Sequence, residues 1–113
     1  MSKRDELITK YASEIKDKFN QQPDMDLLTK VTVGLGPSIY NADSATVSGS
    51  DEKEIATVKN NFLIKKLGLE DSNKLDNAID SVMETYGKSN RNKYRAVIYY
   101  MLTKHFDKAS VYN

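Results

Sequence analysis

The chain contains no cysteine, no tryptophan, one histidine and two prolines among its 113 residues. The lack of cysteine excludes disulfide bonds and thiolate metal ligands, and it suits a reducing compartment. A single histidine, His105, cannot supply the ligand set that a zinc site needs. We therefore expect neither a metal ion nor a cofactor.

Long apolar runs are also missing. The longest strongly apolar stretch is Ala96–Leu102, whereas a transmembrane helix needs about 20 such residues. The first residues enter directly into a charged helical pattern without a continuous apolar segment, so they do not resemble a secretory signal. We expect a cytoplasmic protein that does not enter the membrane.

Helical periodicity dominates what is present. One stripe at spacings of one, three and four residues predicts a helix over about 3–20; its members are Leu7, Ile8, Tyr11, Ala12, Ile15 and Phe19. Caps and breakers predict further helices from Asp24 to Gly34, Asp51 to Gly68, Ser72 to Gly87 and Ser89 to about Phe106.

These elements predict an all-α fold. We expect a single helical domain over 1–113, with four long helices and one short helix in a compact orthogonal or bundle-like array. Pro37 suits the first turn of an additional helical turn at 38–40. The tail over 107–113 is predicted to fray.

Positive charge is concentrated near the end of a chain whose net charge is only +1. Residues 87–113 contain one acid, Asp107, and six bases: Lys88, Arg91, Lys93, Arg95, Lys104 and Lys108. A block of one sign on one segment indicates an anion-binding face.

The predicted last helix would arrange this block on one flank. At 100° per residue, Lys88, Arg91, Arg95 and Tyr99 follow one another along the helix surface, and Asn92 lies beside them. We include Lys93 in this set, because cations and amides near a helix N-terminus can bind phosphate groups or base edges. The alternative is that acids within residues 70–84 pair with these cations.

Two further interpretations concern the same helix. The turn at Gly87-Lys88-Ser89 between two helices is similar to that of a helix-turn-helix, which would place the last helix in DNA. Tyr99 and Tyr100 are adjacent on a helix and cannot both face one side. At least one of them should meet another element of the chain or form the seam of a homodimer.

Residues 34–50 form the other unusual segment, with 17 residues and a single charge, Asp43. Segments of this length in a small domain usually carry structure or function. One interpretation is a short helix and a packed connection. The other is a lid or ligand wall with Tyr40, Asn41 and Asp43 as its polar groups.

Three separated segments resemble one known family. They are Gly36–Asp43 (GPSIYNAD), Asn60–Leu69 (NNFLIKKLGL) and Tyr86–Val97 (YGKSNRNKYRAV). Together they are similar to the small bacterial family catalogued as domain of unknown function 2853. The resemblance implies a small, helical, cytosolic bacterial protein, and it implies no activity, cofactor or catalytic residue.

The sequence contains no recognisable pairing of a nucleophile with a base, so we expect a binding protein rather than an enzyme. The leading hypothesis is that the basic flank of the last helix binds an anionic partner, either nucleic acid or an acidic protein surface. The alternatives are a small-molecule-binding or enzymatic domain that uses residues 34–50, and a structural homodimer.

Overall fold

The helix nearest the C-terminus, α6 (Arg95–His105), lies at the centre of the fold. Every side chain from Ala96 to Thr103 is buried. Because these eight residues follow one another, the helix is covered on all sides by the rest of the chain. It therefore organises the core, and it is not one face of a two-layer bundle.

The helices around α6 come from the whole chain. The structure is a computed structural model that describes residues 2–87, 89–90 and 92–112. The α-helices that precede α6 are α1 (Lys3–Phe19), α2 (Met25–Leu35), α3 (Ala42–Ala45), α4 (Glu52–Thr57) and α5 (Asn73–Tyr86). Of these, α1, α2, α3 and α5 all contact α6.

The predicted all-α class is confirmed. Over the described ranges there is no strand, and the chain shows one isolated antiparallel bridge, between Thr46 and Tyr94. One hydrophobic core runs through all the long helices. No helix among the described residues has both the length and the apolar character that crossing a bilayer requires.

Three of the helix ends predicted up to Gly68 are confirmed closely. The Asp24 carboxylate accepts a hydrogen bond from Leu27 N at 3.1 Å and caps α2. Pro37 lies in the first turn of a 3₁₀ helix over Gly36–Tyr40, as its fixed φ favours. Gly68, with a φ of +73°, follows the end of the next long helix, where Leu69 N donates to Leu63 O.

That next helix begins as α4 and continues as a π-helix over Val58–Lys66. The hydrogen bond from Leu67 N to Phe62 O at 2.9 Å spans five residues and shows the wider winding. The sequence predicts the extent of this helix but carries no signal for its winding. The result is that Phe62 stacks on Tyr99 of α6, with ring centroids 3.8 Å apart.

The predicted start of the last helix at Ser89 is wrong. The helix begins at Arg95, with Tyr94 as its N-cap residue. Asn90 instead closes two local turns: its backbone N donates to Gly87 O, and its side-chain oxygen accepts from Asn92 N, both at 2.9 Å. Asparagine side chains favour such turns over helix, because they compete for backbone groups.

The tail is packed rather than frayed over its described residues. Ala109–Tyr112 forms a 3₁₀ helix against α2. The Tyr112 ring lies 3.5 Å from the position that a Cβ at Gly34 would take, and Lys66 Nζ lies 5.0 Å from the ring centroid. Burial raises the pKa of Tyr112 to about 12. The Tyr112 side chain therefore anchors this segment.

Both adjacent tyrosines of α6 are buried, and the prediction that at least one of them meets another element of the chain is confirmed. Tyr99 is 8% exposed and Tyr100 is 1% exposed. Tyr99 stacks on Phe62, and the Tyr100 hydroxyl accepts a hydrogen bond from Asp24 N at 2.8 Å. Both rings are therefore covered by other parts of the same chain.

Truncating the centre of α6 should destabilise the protein strongly. We expect Ile98→Ala to lower the free energy of unfolding by about 2–5 kcal/mol, because Ile98 is fully buried and its loss leaves a cavity. Val33→Ala is the matched control, since Val33 is 49% exposed, and it should change stability by less than about 0.5 kcal/mol. Urea unfolding measures both, and equal effects would mean that α6 is not central.

Candidate anion-binding site

Two segments that are distant in sequence meet at the start of α6. Val47 N donates a hydrogen bond to Lys93 O at 2.8 Å, next to the bridge between Thr46 and Tyr94. Val47 is itself buried in the core. This pairing places the loop over 48–50 directly beside the turn that leads into α6.

A cavity of about 560 Å³ lies between these two segments. Three serine hydroxyl groups, the Asn90 side chain and Lys93 provide its polar lining; the serines are Ser48, Ser50 and Ser89. The Ser48 and Ser50 hydroxyl oxygens are 3.3 Å apart. The described residues that line this cavity include no acid. Among the described lining residues, the polar groups are therefore hydroxyls, one amide and the Lys93 ammonium.

Lys93 is the cation of this cavity, and it is 3% exposed. Its ammonium group donates a hydrogen bond to Asn90 O at 2.5 Å. Burial lowers the pKa of Lys93 below its ordinary value of 10.5. A charged group in such a place is costly in free energy unless polar groups or an opposite charge stabilise it.

Arg95, two residues later, is held by the protein itself. Its Nε donates to Ser44 O at 2.8 Å, and its terminal nitrogens bond Glu54 Oε2 and the Tyr99 hydroxyl, each at 3.1 Å. A cation in the first turn opposes the helix dipole. The Glu54 carboxylate offsets that repulsion and links α4 to α6.

The family model described as "Protein of unknown function (DUF2853)" matches residues 10–110 of the chain. The chain belongs to this family. The predicted resemblance is thus confirmed, and the matched range includes both segments that form the cavity. No curated protein matches the chain.

The DUF2853 protein does not present the predicted ridge of exposed cations along its last helix. Lys93 and Tyr99 are buried, the Arg95 side chain is 13% exposed, and only Asn92 of the described members is fully at the surface. Lys88 and Arg91 lie outside the described residues. The predicted exposure of the binding set is wrong for Lys93, Arg95 and Tyr99. Lys93 precedes the helix and is buried, and Arg95 and Tyr99 belong to a helix that is central.

The partner of Arg95 also differs from the one that the sequence suggested. The predicted alternative paired the cations with acids of residues 70–84, but the carboxylate at Arg95 belongs to Glu54. Glu54 fits a capping box with Asp51, and Asp51 does cap α4 by accepting from Lys53 N. The spacing identified the cap correctly and gave no signal for the long-range ion pair.

The predicted ligand wall over residues 34–50 lies only partly at the cavity. Tyr40, Asn41 and Asp43 are exposed, and the Asn41 side chain caps α3 by accepting from Asp43 N at 2.9 Å. The cavity is bordered by the far end of the same segment, residues 46–50. Ser48 and Ser50 do not belong to a recognisable motif. The small, polar composition of the segment was the one feature of the sequence that indicated a site there.

The described residues also bear on the remaining site predictions of the DUF2853 chain. Among them, no cluster of three or more His, Asp or Glu side chains is arranged to hold a metal ion. His105 is exposed at the last turn of α6, where its ring meets Phe106 edge-on at a centroid distance of 4.8 Å.

Breaking the Glu54–Arg95 pair should cost more than breaking a surface pair. We expect Glu54→Gln to lower the free energy of unfolding by about 1–3 kcal/mol, because it removes a carboxylate from a largely buried guanidinium group. The control is Asp26→Asn, which removes the exposed partner of Lys30 and should cost less than about 0.5 kcal/mol. Equal losses in urea unfolding would contradict the internal role of Arg95.

The buried ammonium of Lys93 predicts a pH dependence. Its native pKa lies below the unfolded value of 10.5, so the unfolded chain binds more protons between the two values. Stability should therefore rise as pH increases through the native pKa and should level off above 10.5. Other groups cancel when the wild type is compared with Lys93→Met. The stability of the wild type relative to the variant should rise as the pH approaches 10.5 from below, and a difference that does not change with pH would contradict the burial of the charge.

Proposed function

We propose that this protein acts by binding, and that its ligand carries a phosphate or carboxylate group that enters the Lys93 cavity. One observation carries the proposal: a nearly fully buried ammonium group borders a cavity lined by serine hydroxyls and by no acidic side chain among the described residues. An anion at this point would receive a charge-assisted hydrogen bond and several neutral ones.

The energetics of Lys93 support an anion as the ligand. Desolvation disfavours the ammonium form in the free protein. A bound anion would favour that form again, because opposite charges close together stabilise one another most where water is scarce. Part of the binding free energy then comes from relieving a cost that the fold already carries.

A small ligand fits this arrangement better than a macromolecule. Nucleic acid is bound mainly by exposed Lys and Arg side chains that reach the phosphate backbone. In the basic block, Lys93 is buried and Arg95 is held by Glu54, so these two residues do not form an open cationic surface. The cavity volume of about 560 Å³ lies within the usual range for small-molecule sites.

The single histidine is not placed to act as a base at this cavity. His105, the single histidine, lies at the opposite end of α6 from Lys93 and is not beside the serine hydroxyls. A serine nucleophile commonly relies on an adjacent base. We further place the protein in the bacterial cytoplasm, a reducing compartment that its lack of cysteine suits.

The test is a titration of the full chain with inorganic phosphate at constant ionic strength, followed by amide NMR. We expect saturable shifts confined to residues 46–50 and 89–93, with a Kd on the order of 1 mM for so small an ion. Lys93→Met should weaken binding at least about tenfold, since it removes the cation.

Two variants control this experiment. Lys65→Met removes an exposed lysine of the π-helix and should leave the affinity unchanged. Ser50→Ala should weaken binding moderately and remains informative if Lys93→Met unfolds. Absence of saturable shifts, or shifts that Lys93→Met leaves intact, would overturn the proposal. Tight, strongly salt-dependent binding of a single-stranded oligonucleotide that does not need Lys93 would instead favour nucleic-acid binding by an exposed basic surface.

A further inference from the structure

A second cavity also borders Gly49 and Ser50 of the 48–50 loop and has a different character. It measures about 320 Å³, and its floor consists of Ile79 and Met83, one turn apart on α5, together with Ile55 of α4. Ile79 and Met83 are almost completely buried. This cavity offers an apolar surface where the first one offers hydroxyls and a cation.

Gly49 and Ser50 form the wall that the two cavities share. A Cβ at Gly49 would lie 3.7 Å from Lys93 Nζ and 3.8 Å from Met83 Sδ. The cationic group and the thioether of the apolar floor therefore both lie within 4 Å of the same point. A ligand of modest length that lies over this wall would reach both.

The charges around the second cavity determine which part of a ligand it can accept. Asp76 and Asp80 border it, and Asp76 is ion-paired with Lys59 at 3.0 Å. The first cavity has the Lys93 ammonium and no acid among its described lining residues, whereas the second cavity is lined mainly by apolar side chains. The anionic end is thereby directed to Lys93 and the uncharged end to Met83.

We infer that the ligand is a small amphiphilic anion, with a phosphate or carboxylate head in the Lys93 cavity and a short apolar group in the Met83 cavity. This inference rests on the proposed function and specifies its ligand class. The hydrophobic part contributes affinity through buried area, and the head fixes the orientation.

The experiment compares inorganic phosphate, methyl phosphate, butyl phosphate and hexyl phosphate, titrated into the full chain and measured by calorimetry. Each methylene that enters the apolar cavity should tighten binding by up to about fourfold until the cavity is filled. Lys93→Met should weaken the binding of all four phosphates. Labelling the methionine methyl groups gives the location: the Met83 signal should shift with butyl and hexyl phosphate, while Met25 and Met101 serve as internal controls.

A matched pair of variants tests the apolar cavity separately. Ile55 and Ile64 are both half-buried isoleucines of the same continuous helix, and of the two only Ile55 borders the cavity. Ile55→Thr should reduce the gain from methyl to hexyl phosphate by at least about threefold while leaving methyl phosphate binding unchanged. Ile64→Thr should leave both affinities as they are.

The outcomes separate the two proposals. Phosphate binding that needs Lys93 but does not tighten with chain length, with an unmoved Met83 signal, would overturn the amphiphile and leave the anion site standing. Failure of every phosphate to bind would overturn both. Binding of all the phosphates that is independent of Lys93 would also overturn both. A shift of Met25 or Met101 instead of Met83, with binding that still needs Lys93, would overturn the amphiphile alone.

Discussion

The burial of α6 on every side is the constraint on which the rest of the structure depends. Eight consecutive buried residues leave this helix no solvent-facing stripe, so the polar and charged groups that lead into it must find partners inside the protein. Arg95 finds Glu54, Ser44 and Tyr99. Lys93 donates to Asn90 O and borders a cavity lined by hydroxyl groups. Part of the basic block of the sequence, Lys93 and Arg95, is therefore buried.

Local physics made much of the fold predictable. The apolar stripe from Leu7 to Phe19 predicted the bounds of α1 to within one residue. Helix ends were also predictable, because caps and turns with positive φ depend on a few neighbouring atoms. The residues that mark them are Asp24, Asp51, Gly68 and Gly87. The last helix was harder to predict for a physical reason. A helical-wheel argument assumes that one side of the helix faces solvent. The adjacent residues Tyr99 and Tyr100 are both buried, because the part of α6 that contains them has no solvent-facing side. Asn90 then set the start of the helix through its own turns.

The candidate site was less accessible to sequence reasoning because it is made by long-range pairing. The bridge between Thr46 and Tyr94 joins segments almost fifty positions apart, and neither Ser48, Ser50 nor Ser89 belongs to a recognisable motif. The basic block and residues 34–50, the two unusual features of the sequence, do contain the two segments that meet at the cavity. The residues that line the cavity could not be predicted from these two features. The sequence predicted Lys93 at the surface, and it predicted Tyr40, Asn41 and Asp43 as the polar groups of the loop. Membership of the DUF2853 family shows kinship over residues 10–110 and leaves the chemistry to be established from the site.

The most direct measurement of the central claim is the pKa of the Lys93 ammonium itself. It can be followed by NMR of the labelled lysine side chain across a pH titration, with and without phosphate. The structure predicts a pKa below 10.5 in the free protein, because the group is desolvated, and an upward shift when phosphate binds, because an adjacent anion favours the charged form. An ordinary pKa that phosphate does not move would contradict both the buried cation and the anion site built around it.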